Sequence, residues 1–188
     1  ANAGYGIYGS VLETPEADHR AIFEVNYFAT LHTLKAGVPH LRDTPGGLKH
    51  VLICSSAGSE IGLPMFGAYA ATKAAQDSIA GALRGELADE GITVTSVHPV
   101  GTATEFFDTA QARSPATHTD QPEGANTPKA LVQPVEHVAK CILRALRKPK
   151  AEVWPMVTAR WGLALLTAMP GLAARLMRRH YKRIVPGR

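Results

Sequence analysis

The sequence predicts an α/β fold in which helices cover both faces of a parallel β-sheet. Short apolar runs at residues 50–54 and 92–97 have the length and the β-branched content of buried strands. Amphipathic segments at residues 15–40, 67–90 and 134–148 surround these runs. Because strands that alternate with helices pair in parallel, this order favours a single layered domain over residues 1–188.

The first predicted helix, residues 15–40, begins at a helix-start signal. Pro15 takes the first helical position and Glu16 places negative charge in the first turn, where both are favoured. Gly46 and Gly47 then interrupt the chain before the first strand. The apolar residues of this helix recur near helical spacing and are Ile22, Val25, Phe28, Ala29, Leu31 and Leu34.

The second helix and strand also have clear limits. The Ala-rich helix at 67–90 ends at Gly91, a residue suited to a left-handed helix end, and the strand at 92–97 stops before Pro99. Residues 101–133 are polar and contain several Gly and Pro residues, which predicts a long loop with one short helix. Loops of this length are usually lids or disordered segments, and we expect a substrate lid.

The rest of the chain continues the alternation, with a helix at 134–148 and a last strand at 151–154. A hydrophobic content of 45% and a charged content of 19% are typical of a globular protein. The two cysteines, Cys54 and Cys141, give neither a disulfide framework nor a metal cluster, so we expect core positions and a cytoplasmic location. The start of the sequence has no signal peptide, and no metal site is predicted.

The net charge of +4 conceals an asymmetry between the two ends of the chain. Residues 1–139 carry 8 Lys and Arg against 15 Asp and Glu, whereas residues 140–188 carry 12 against one. Residues 162–172 are apolar but are broken by Pro170 and Gly171, and they are too short to span a bilayer. The basic residues after position 174 are Arg175, Arg178, Arg179, Lys182, Arg183 and Arg188.

Three interpretations of the basic segment at 160–188 stay open. It forms a helix that contacts a membrane surface, or a patch for an anionic partner. Alternatively, a C-terminal helix packs its Leu and Trp face on the domain and leaves its Arg face in water. We expect no nucleic-acid partner.

Three side chains indicate chemistry at one edge of the predicted sheet. Tyr69 and Lys73 lie four residues apart on one helix face, and Ser56 precedes Tyr69 by thirteen residues. A phenol, an ammonium and a hydroxyl suit proton transfer to or from a carbonyl oxygen. Because a Tyr-x-x-x-Lys pair is common by chance, its meaning depends on its surroundings. Ser56 follows one predicted strand and His98 ends the next, and ligands bind at this edge of parallel sheets.

Further residues extend this pattern across residues 1–108. They are Asn2-Ala3-Gly4, Val25-Asn26, Ser55-Ser56 followed by Gly62 and Pro64, Tyr69-x-x-x-Lys73, and Pro99-x-x-x-x-Thr104. In this order and at these spacings they resemble the short-chain dehydrogenase/reductase family. The resemblance covers the C-terminal two-thirds of the family's pattern and implies a Rossmann-like, doubly wound sheet. It also implies an NAD(P)-dependent oxidoreductase that interconverts a carbonyl and an alcohol.

The resemblance implies a role for each catalytic candidate. Ser56 would hold the substrate oxygen and Tyr69 would be the general acid/base. Lys73 would bind the nicotinamide ribose and lower the Tyr69 pKa, and Asn26 would hold a water in a proton relay behind Lys73. A cation ~5 Å from the phenol at an effective dielectric of ~20 would lower its pKa by about two units. We therefore expect a Tyr69 pKa close to neutral.

The cofactor-binding residues are likewise implied by the resemblance. Asn2, Ala3 and Gly4 would lie along the ribose side of the cofactor. A second group, Pro99, Val100, Thr102 and Thr104, would cradle the nicotinamide and its carboxamide. The cofactor would be NADP or NAD, with NADP preferred.

This chain departs from the family pattern in three places. Val100 stands where many members have Gly, and His98 replaces a common Asn; we expect His98 to pack at the strand end rather than act as a second base. The Gly-rich phosphate turn and the first strands, roughly 80–90 residues by resemblance, have no counterpart in the sequence. The residue that selects NAD or NADP is absent with them.

These departures leave two functional hypotheses. In the first, the chain belongs to an oxidoreductase that acts on a small carbonyl or alcohol. In the second, it is a truncated, non-catalytic module that does not bind the cofactor by itself. An epimerase or dehydratase of the extended family is disfavoured, because the segment after the loop is too short for a separate substrate domain.

The substrate and the oligomeric state are less well defined by the sequence. Phe106 and Phe107 in the predicted lid suggest a partly apolar substrate, or simply pack the lid shut. By analogy with the family, we expect a homo-oligomer formed through the helices at 15–40 and 67–90.

Overall fold

Helices and strands alternate along the chain, as the sequence predicts. The structure, a computed structural model, describes residues 1–114 and 129–185. The helices in these residues are α1 (Glu16–Phe23), α2 (Ala29–Asp43), α3 (Gly67–Glu86), α4 (Phe106–Arg113), α5 (Val135–Arg147), α6 (Val157–Ala168) and α7 (Pro170–Ile184). The strands are β1 (His50–Cys54), β2 (Thr93–Val97), β3 (Gly101–Thr102), β4 (Val132–Gln133) and β5 (Glu152–Val153).

A three-stranded parallel sheet in the order β1-β2-β5 organises the domain. The strands β3 and β4 form a separate parallel pair. On its other edge β1 bonds to the start of the chain: the Ala1 amino group donates to Leu52 O at 2.7 Å, and Cys54 N donates to Ala1 O at 2.8 Å. The carboxyl end of β1 therefore lies beside the start of the chain.

Helices cover the sheet on both faces, which confirms the predicted fold class. On one face, α2 and α3 pack against β1 and β2, and this core contains Leu34, Val38, Val51, Ile53, Ala80, Leu87, Ile92 and Val94. On the other face, α5 packs Ala145, Cys141 and Ile142 against Leu52, Val97 and Val153. Successive residues of β1 contribute to opposite cores, as the two-residue period of a strand requires.

Most predicted boundaries agree with the structure to within a few residues. The strand at 50–54 is reproduced, and the helix predicted at 67–90 ends at Glu86 before a 3-10 turn at Ala88–Glu90. Gly91 follows this turn with φ +67°, the left-handed conformation expected of it.

The predicted helix at 15–40 differs from the structure in one respect. The helix runs without interruption from Glu16 to Asp43, but Glu24–Phe28 forms a π-helical turn between α1 and α2. A π turn accommodates one extra residue, and it is not visible in the apolar spacing of this segment.

The segment predicted as a loop at 101–133 contains regular structure at both ends. The strand β3 and the helix α4 lie at its start, and the strand β4 lies at its end. Residues 115–128 lie outside the described residues, so the lid stays a prediction.

The basic segment forms α6 and α7, and none of the helices in the described residues is long and apolar enough to cross a membrane.

An open apolar groove between α2 and α3 is lined by Leu31, Leu34, Val38, Ile79 and Leu83. Pairing of two chains through these helices stays a prediction.

Arg84 connects α3 to two strands through three hydrogen bonds. Its guanidinium donates to Val94 O at 3.3 Å, to Ser96 Oγ at 2.7 Å and to Ala151 O at 2.7 Å.

We expect Arg84→Met, which keeps the aliphatic stem, to lower the free energy of unfolding by about 1–3 kcal/mol, because buried acceptors lose their donor. The exposed residue Arg147 at the end of α5 provides the control, and Arg147→Met should change stability by less than about 0.5 kcal/mol. Urea denaturation measures both changes, and equal effects would contradict a structural role for Arg84.

Candidate active site

The predicted pair of Tyr69 and Lys73 lies in the first two turns of α3, and both side chains are buried. Lys73 Nζ is 5.6 Å from the centroid of the Tyr69 ring. The four-residue spacing therefore places the phenol and the ammonium on one helix face, as a helical period requires.

The Lys73 ammonium is held by two acceptors on its own side of the sheet. Nζ donates to Cys54 O, at the end of β1, and to Gln76 Oε1, both at 2.9 Å. Burial lowers the Lys73 pKa below its usual value, because the charged form loses hydration, while the charges of Cys54 and Asp77 act in the opposite direction.

Ser56 combines the two roles that its position suggests. Its backbone is extended at the start of a 3-10 turn at Ala57–Ser59, and its Oγ accepts a hydrogen bond from Gly58 N at 3.0 Å. The same side chain hydrogen-bonds to the Tyr69 phenol, an interaction that lowers the Tyr69 pKa. A turn-capping role of Ser56 is thus present together with its contact to Tyr69.

Aromatic rings enclose Tyr69 on its apolar side. Phe66 and Phe106 pack against its ring, with centroids 4.6 Å and 5.3 Å away. Met65, directly before Phe66, has φ +62°, a conformation that a bulky residue rarely adopts. The ring of Phe106 thus packs against the ring of Tyr69. Phe107 in turn packs edge-on against Phe106, with ring centroids 5.4 Å apart.

The expected lowering of the Tyr69 pKa is wrong for the structure described here. Burial raises the pKa of Tyr69 well above its ordinary value, and the hydrogen bond from Ser56 only partly opposes this effect. The sequence-based expectation assumed a partly solvated pair at an intermediate dielectric. Complete enclosure instead removes the hydration of the phenolate, so Tyr69 is protonated at neutral pH.

Asn26 is fully buried in the π-helical turn and fixes the start of the chain beside Lys73. Its Oδ1 accepts from Tyr5 N at 3.0 Å, and its Nδ2 donates to Tyr5 O and Thr72 Oγ1, both at 2.9 Å. Its main-chain oxygen accepts from Thr30 Oγ1 at 2.8 Å and from Gln76 Nε2 at 2.6 Å. The hydrogen-bonded path from Asn26 O to Lys73 thus passes through the side-chain amide of Gln76. A water relay held by Asn26 stays a prediction.

Gln76 was not singled out in the sequence, although it is 1% exposed and bonds directly to Lys73. One signal was available: residues 69, 73 and 76 share a helix face, so a polar residue at 76 would lie beside the predicted pair of Tyr69 and Lys73. Thr72 was also missed, and its Oγ1 connects Asn26 to Tyr69 O at 2.7 Å.

The predicted cofactor residues at the chain start lie on the open side of this group. Asn2, Ala3 and Gly4 are exposed. A Cβ at Gly4 would lie 3.0 Å from Asn26 Oδ1 and 3.6 Å from Lys73 Nζ, so a side chain here would crowd the Asn26 amide and would fill the space beside Lys73.

The second group of predicted cofactor residues follows β2. Pro99 and Val100 are half-buried, and Pro99 O accepts from Ala57 N at 2.9 Å, which joins this segment to the Ser56 turn. Thr102 lies in β3 and Thr104 is exposed. An open pocket of about 430 Å³ lies between this segment and the start of the chain. It is lined by Gly4, Tyr5, Thr104, Glu105, Phe106 and Thr109.

His98 is a packing residue, as expected from its position at the strand end. It is 2% exposed, stacks on Trp154 with ring centroids 4.3 Å apart, and its Nε2 contacts Ser96 Oγ at 2.9 Å. Two carboxylates face different ring nitrogens, Asp77 at 3.6 Å from Nε2 and Glu60 at 3.8 Å from Nδ1.

An alkaline titration tests the raised Tyr69 pKa. We expect absorbance at 295 nm to show Tyr69 still protonated at pH ~10, the ordinary value for tyrosine. The variant Tyr69→Phe should remove one phenol from the late part of the curve and leave the neutral range unchanged. Tyr8, whose pKa burial raises to about 12, is the matched control, and Tyr8→Phe should likewise remove a late phenol.

The same shift predicts a pH dependence of stability. The folded chain holds the Tyr69 proton more tightly than the unfolded chain, so the stabilisation is complete below pH ~10 and is lost as the pH rises through the raised pKa. If Tyr69→Phe instead removed a phenol that titrates near neutral pH, the lowered Tyr69 pKa expected from the sequence would be correct.

Comparison with known proteins agrees with this geometry. Residues 1–115 match the family model described as short chain dehydrogenase. The chain is 29% identical to an uncharacterized oxidoreductase, YbbO, of Escherichia coli K12, over 100% of this chain and 62% of the relative. It is 33% identical to dehydrogenase/reductase SDR family member 7B of Bos taurus, over 94% of this chain and 53% of the relative.

A solved structure shares the fold. The short-chain dehydrogenase of Burkholderia cenocepacia J2315 in complex with NADP superposes with a TM-score of 0.73 at 29% identity, over 93% of this chain and 68% of the other. The chain thus spans between about half and two-thirds of the length of the proteins that it matches. With a family model over more than half of its residues and the Ser56, Tyr69 and Lys73 group at its sheet edge, the chain belongs to the short-chain dehydrogenase/reductase family of oxidoreductases.

Proposed function

We propose that the chain is the catalytic part of an NAD(P)-dependent oxidoreductase that interconverts a carbonyl and an alcohol. The observation that carries this proposal is the convergence of three groups at one sheet edge. The Ser56 hydroxyl contacts the Tyr69 phenol, and the Lys73 ammonium lies 5.6 Å from the Tyr69 ring. A donor for the substrate oxygen, a proton source and a cation together suit this reaction.

The protonation of Tyr69 supports reduction of a carbonyl. Burial raises its pKa, so at neutral pH the phenol carries the proton that a developing alkoxide needs. Ser56 would bind the same oxygen and orient it toward Tyr69. The packed rings of Phe66 and Phe106 exclude water from this side of the phenol, which supports a partly apolar substrate.

The residues present fit the nicotinamide end of a dinucleotide. Gly4 leaves space beside Asn26 and Lys73 that a Cβ would fill, and the open pocket at Thr104 adjoins it. Lys73 donates two of its three N–H groups within the described residues, which leaves one for a ribose hydroxyl. The cofactor would supply the hydride.

The cofactor would be NADP or NAD. A relative from Burkholderia cenocepacia was solved with NADP and one from Mycobacterium paratuberculosis with NAD. The residue that selects between them lies in the part of the family's pattern that this sequence does not contain.

Substitution of Tyr69 tests the proposed reaction in the protein expressed from its complete reading frame. We expect Tyr69→Phe to lower kcat for NADPH-dependent reduction of aldehydes and ketones by at least about 100-fold, since a general acid contributes this much or more. Ser56→Ala should also lower kcat. The control Tyr27→Phe changes a half-buried tyrosine of the π turn and should retain activity.

One outcome would refute the proposal, and one titration separates it from the hypothesis of a non-catalytic module. Unchanged turnover in Tyr69→Phe would refute the assignment of the general acid. Titration of NADPH and NADH against the 188-residue chain separates the candidates, because saturable binding would exclude the non-catalytic module.

A further inference from the structure

The helices α6 and α7 present an apolar face to water. Val157, Trp161 and Leu165 recur at four-residue intervals on α6 and are 60%, 68% and 55% exposed, and Met169 continues the row at 49%. The opposite face of α6 is half-buried, through Ala159, Leu163 and Leu166. Of the three interpretations of this segment, packing of the Leu and Trp face on the domain does not hold for Trp161 and Leu165.

The partner helix α7 carries the opposite kind of surface. Its exposed side chains are mostly basic, whereas Ile184 is buried and Met177 and Tyr181 are half-buried. In the sequence from 140 to 188 the only acidic residue is Glu152, which pairs with Arg160 at 3.4 Å and accepts from Trp154. The exposed basic residues of α7 are Arg175, Arg178, Arg179, Lys182 and Arg183.

Apolar and basic surfaces thus belong to one unit, because α6 and α7 contact each other and are joined at Met169–Pro170. We propose that this hairpin docks on the surface of an anionic lipid bilayer. The row of Val157, Trp161 and Leu165 enters the boundary between headgroups and acyl chains, and the basic residues of α7 bind the lipid phosphates and carboxylates.

Charge and length select this occupant over the others. A nucleic acid would neutralise α7 but would leave the apolar row in water. A second copy would cover the row but would bring two strongly basic helices together, which like charges oppose. At 1.5 Å per residue, the 12 residues of α6 extend about 18 Å, short of the ~30 Å hydrocarbon core, so α6 lies in the interface rather than across it.

Vesicle co-sedimentation of the 188-residue chain tests the proposal. We expect binding to vesicles of 70% phosphatidylcholine and 30% phosphatidylserine, and much weaker binding to pure phosphatidylcholine or at high salt. Trp161→Ser with Leu165→Ser should weaken binding at least about tenfold, because both side chains leave the acyl boundary. The control pair Leu12→Ser with Leu48→Ser removes two exposed apolar side chains elsewhere and should bind normally.

A charge variant separates the electrostatic contribution. Arg175→Gln with Lys182→Gln should weaken binding to the anionic vesicles by about tenfold or more and leave binding to phosphatidylcholine unchanged. The control Arg20→Gln with Lys35→Gln removes the same charge elsewhere and should have a smaller effect. The conservative variant Trp161→Phe should still bind but lose most of the blue shift in tryptophan fluorescence.

Three results would overturn the proposal. The first is equal pelleting of the parent chain and of the double variant Trp161→Ser with Leu165→Ser. The second is equal binding of the parent chain to neutral and anionic vesicles. The third is a dimer of the parent chain, seen in sedimentation velocity, that the same double variant abolishes. The last result would assign the apolar row to a second copy of the chain.

A separate observation concerns the amide of Gln76. Its Oε1 accepts from Lys73 Nζ at 2.9 Å, and its Nε2 donates to Asn26 O at 2.6 Å and to Thr30 Oγ1 at 2.7 Å. The reverse orientation would place an NH₂ group against the ammonium and an oxygen against a carbonyl, so the amide has one favourable orientation. The acceptor that faces Lys73 is therefore fixed by α2 and the π turn.

We infer that Gln76 is the positioning residue for Lys73, an inference that rests on the proposed function. It holds the ammonium against the end of β1 and leaves one N–H directed elsewhere. We expect Gln76→Leu to lower the Lys73 pKa further, because a buried ammonium loses an acceptor. Gln76→Glu should raise the same pKa.

Nuclear magnetic resonance of lysine-labelled chain measures these pKa values without any activity. In the complete enzyme, Gln76→Leu should also shift the pH profile of kcat, and Gln76→Glu should restore turnover in part. If the parent enzyme is inactive but the Lys73 pKa follows residue 76, the proposed function fails and the positioning role stands. An active enzyme in which neither the pKa nor the pH profile changes would refute the positioning role.

Discussion

Burial of the Lys73 ammonium is the constraint on which the rest of the site depends. Removing a charged group from water costs several kcal/mol unless acceptors replace the lost hydration. Here the acceptors are Cys54 O at the end of β1 and Gln76 Oε1 one turn along α3. A third bond, from Ser55 Oγ to Lys73 O at 3.2 Å, joins the same strand end to the helix main chain. The charge that α3 carries is thus tied to the end of β1, next to the apolar core that packs the same helix on the sheet.

The two sides of Tyr69 meet different surroundings because of this arrangement. Toward the sheet, hydrogen bonds through Thr72 and Asn26 continue to the main chain of Tyr5. Away from it, Phe66 and Phe106 cover the ring with apolar surface. A rigid polar network on one side and a water-excluding wall on the other hold the phenol in one place, which is what proton transfer to a bound oxygen requires.

Much of this arrangement could be predicted from the sequence, because local signals determined it. The apolar run at 50–54 and the glycine at 91 fixed a strand and a helix end, and the spacing of Ser56, Tyr69 and Lys73 placed three groups at one edge. Properties that depend on tertiary packing could not be predicted in this way. The Tyr69 pKa depends on how completely neighbouring rings enclose it, and the partners of Gln76 come from a helix some fifty residues away.

The exposure of Trp161 shows the same limit from the other direction. The sequence reveals that α6 is apolar but not which of its faces meets the domain, since residues on every side of this helix are apolar. Only the packing of α6 against its neighbours distinguishes the inner face from the outer one.

The π turn at Glu24–Phe28 has a consequence for how this chain tolerates changes in length. Such a turn is in effect a single residue inserted into an α-helix. Because the wide turn absorbs that extra residue, deletion of one residue here would restore regular α-helical turns with little rotation of α2 relative to α1. Leu34 and Val38 would keep their places in the core, whereas Asn26, which lies within the turn, would lose its alignment with Tyr5. The extra residue therefore bears on the placement of Asn26 and not on the packing of the helix that follows it.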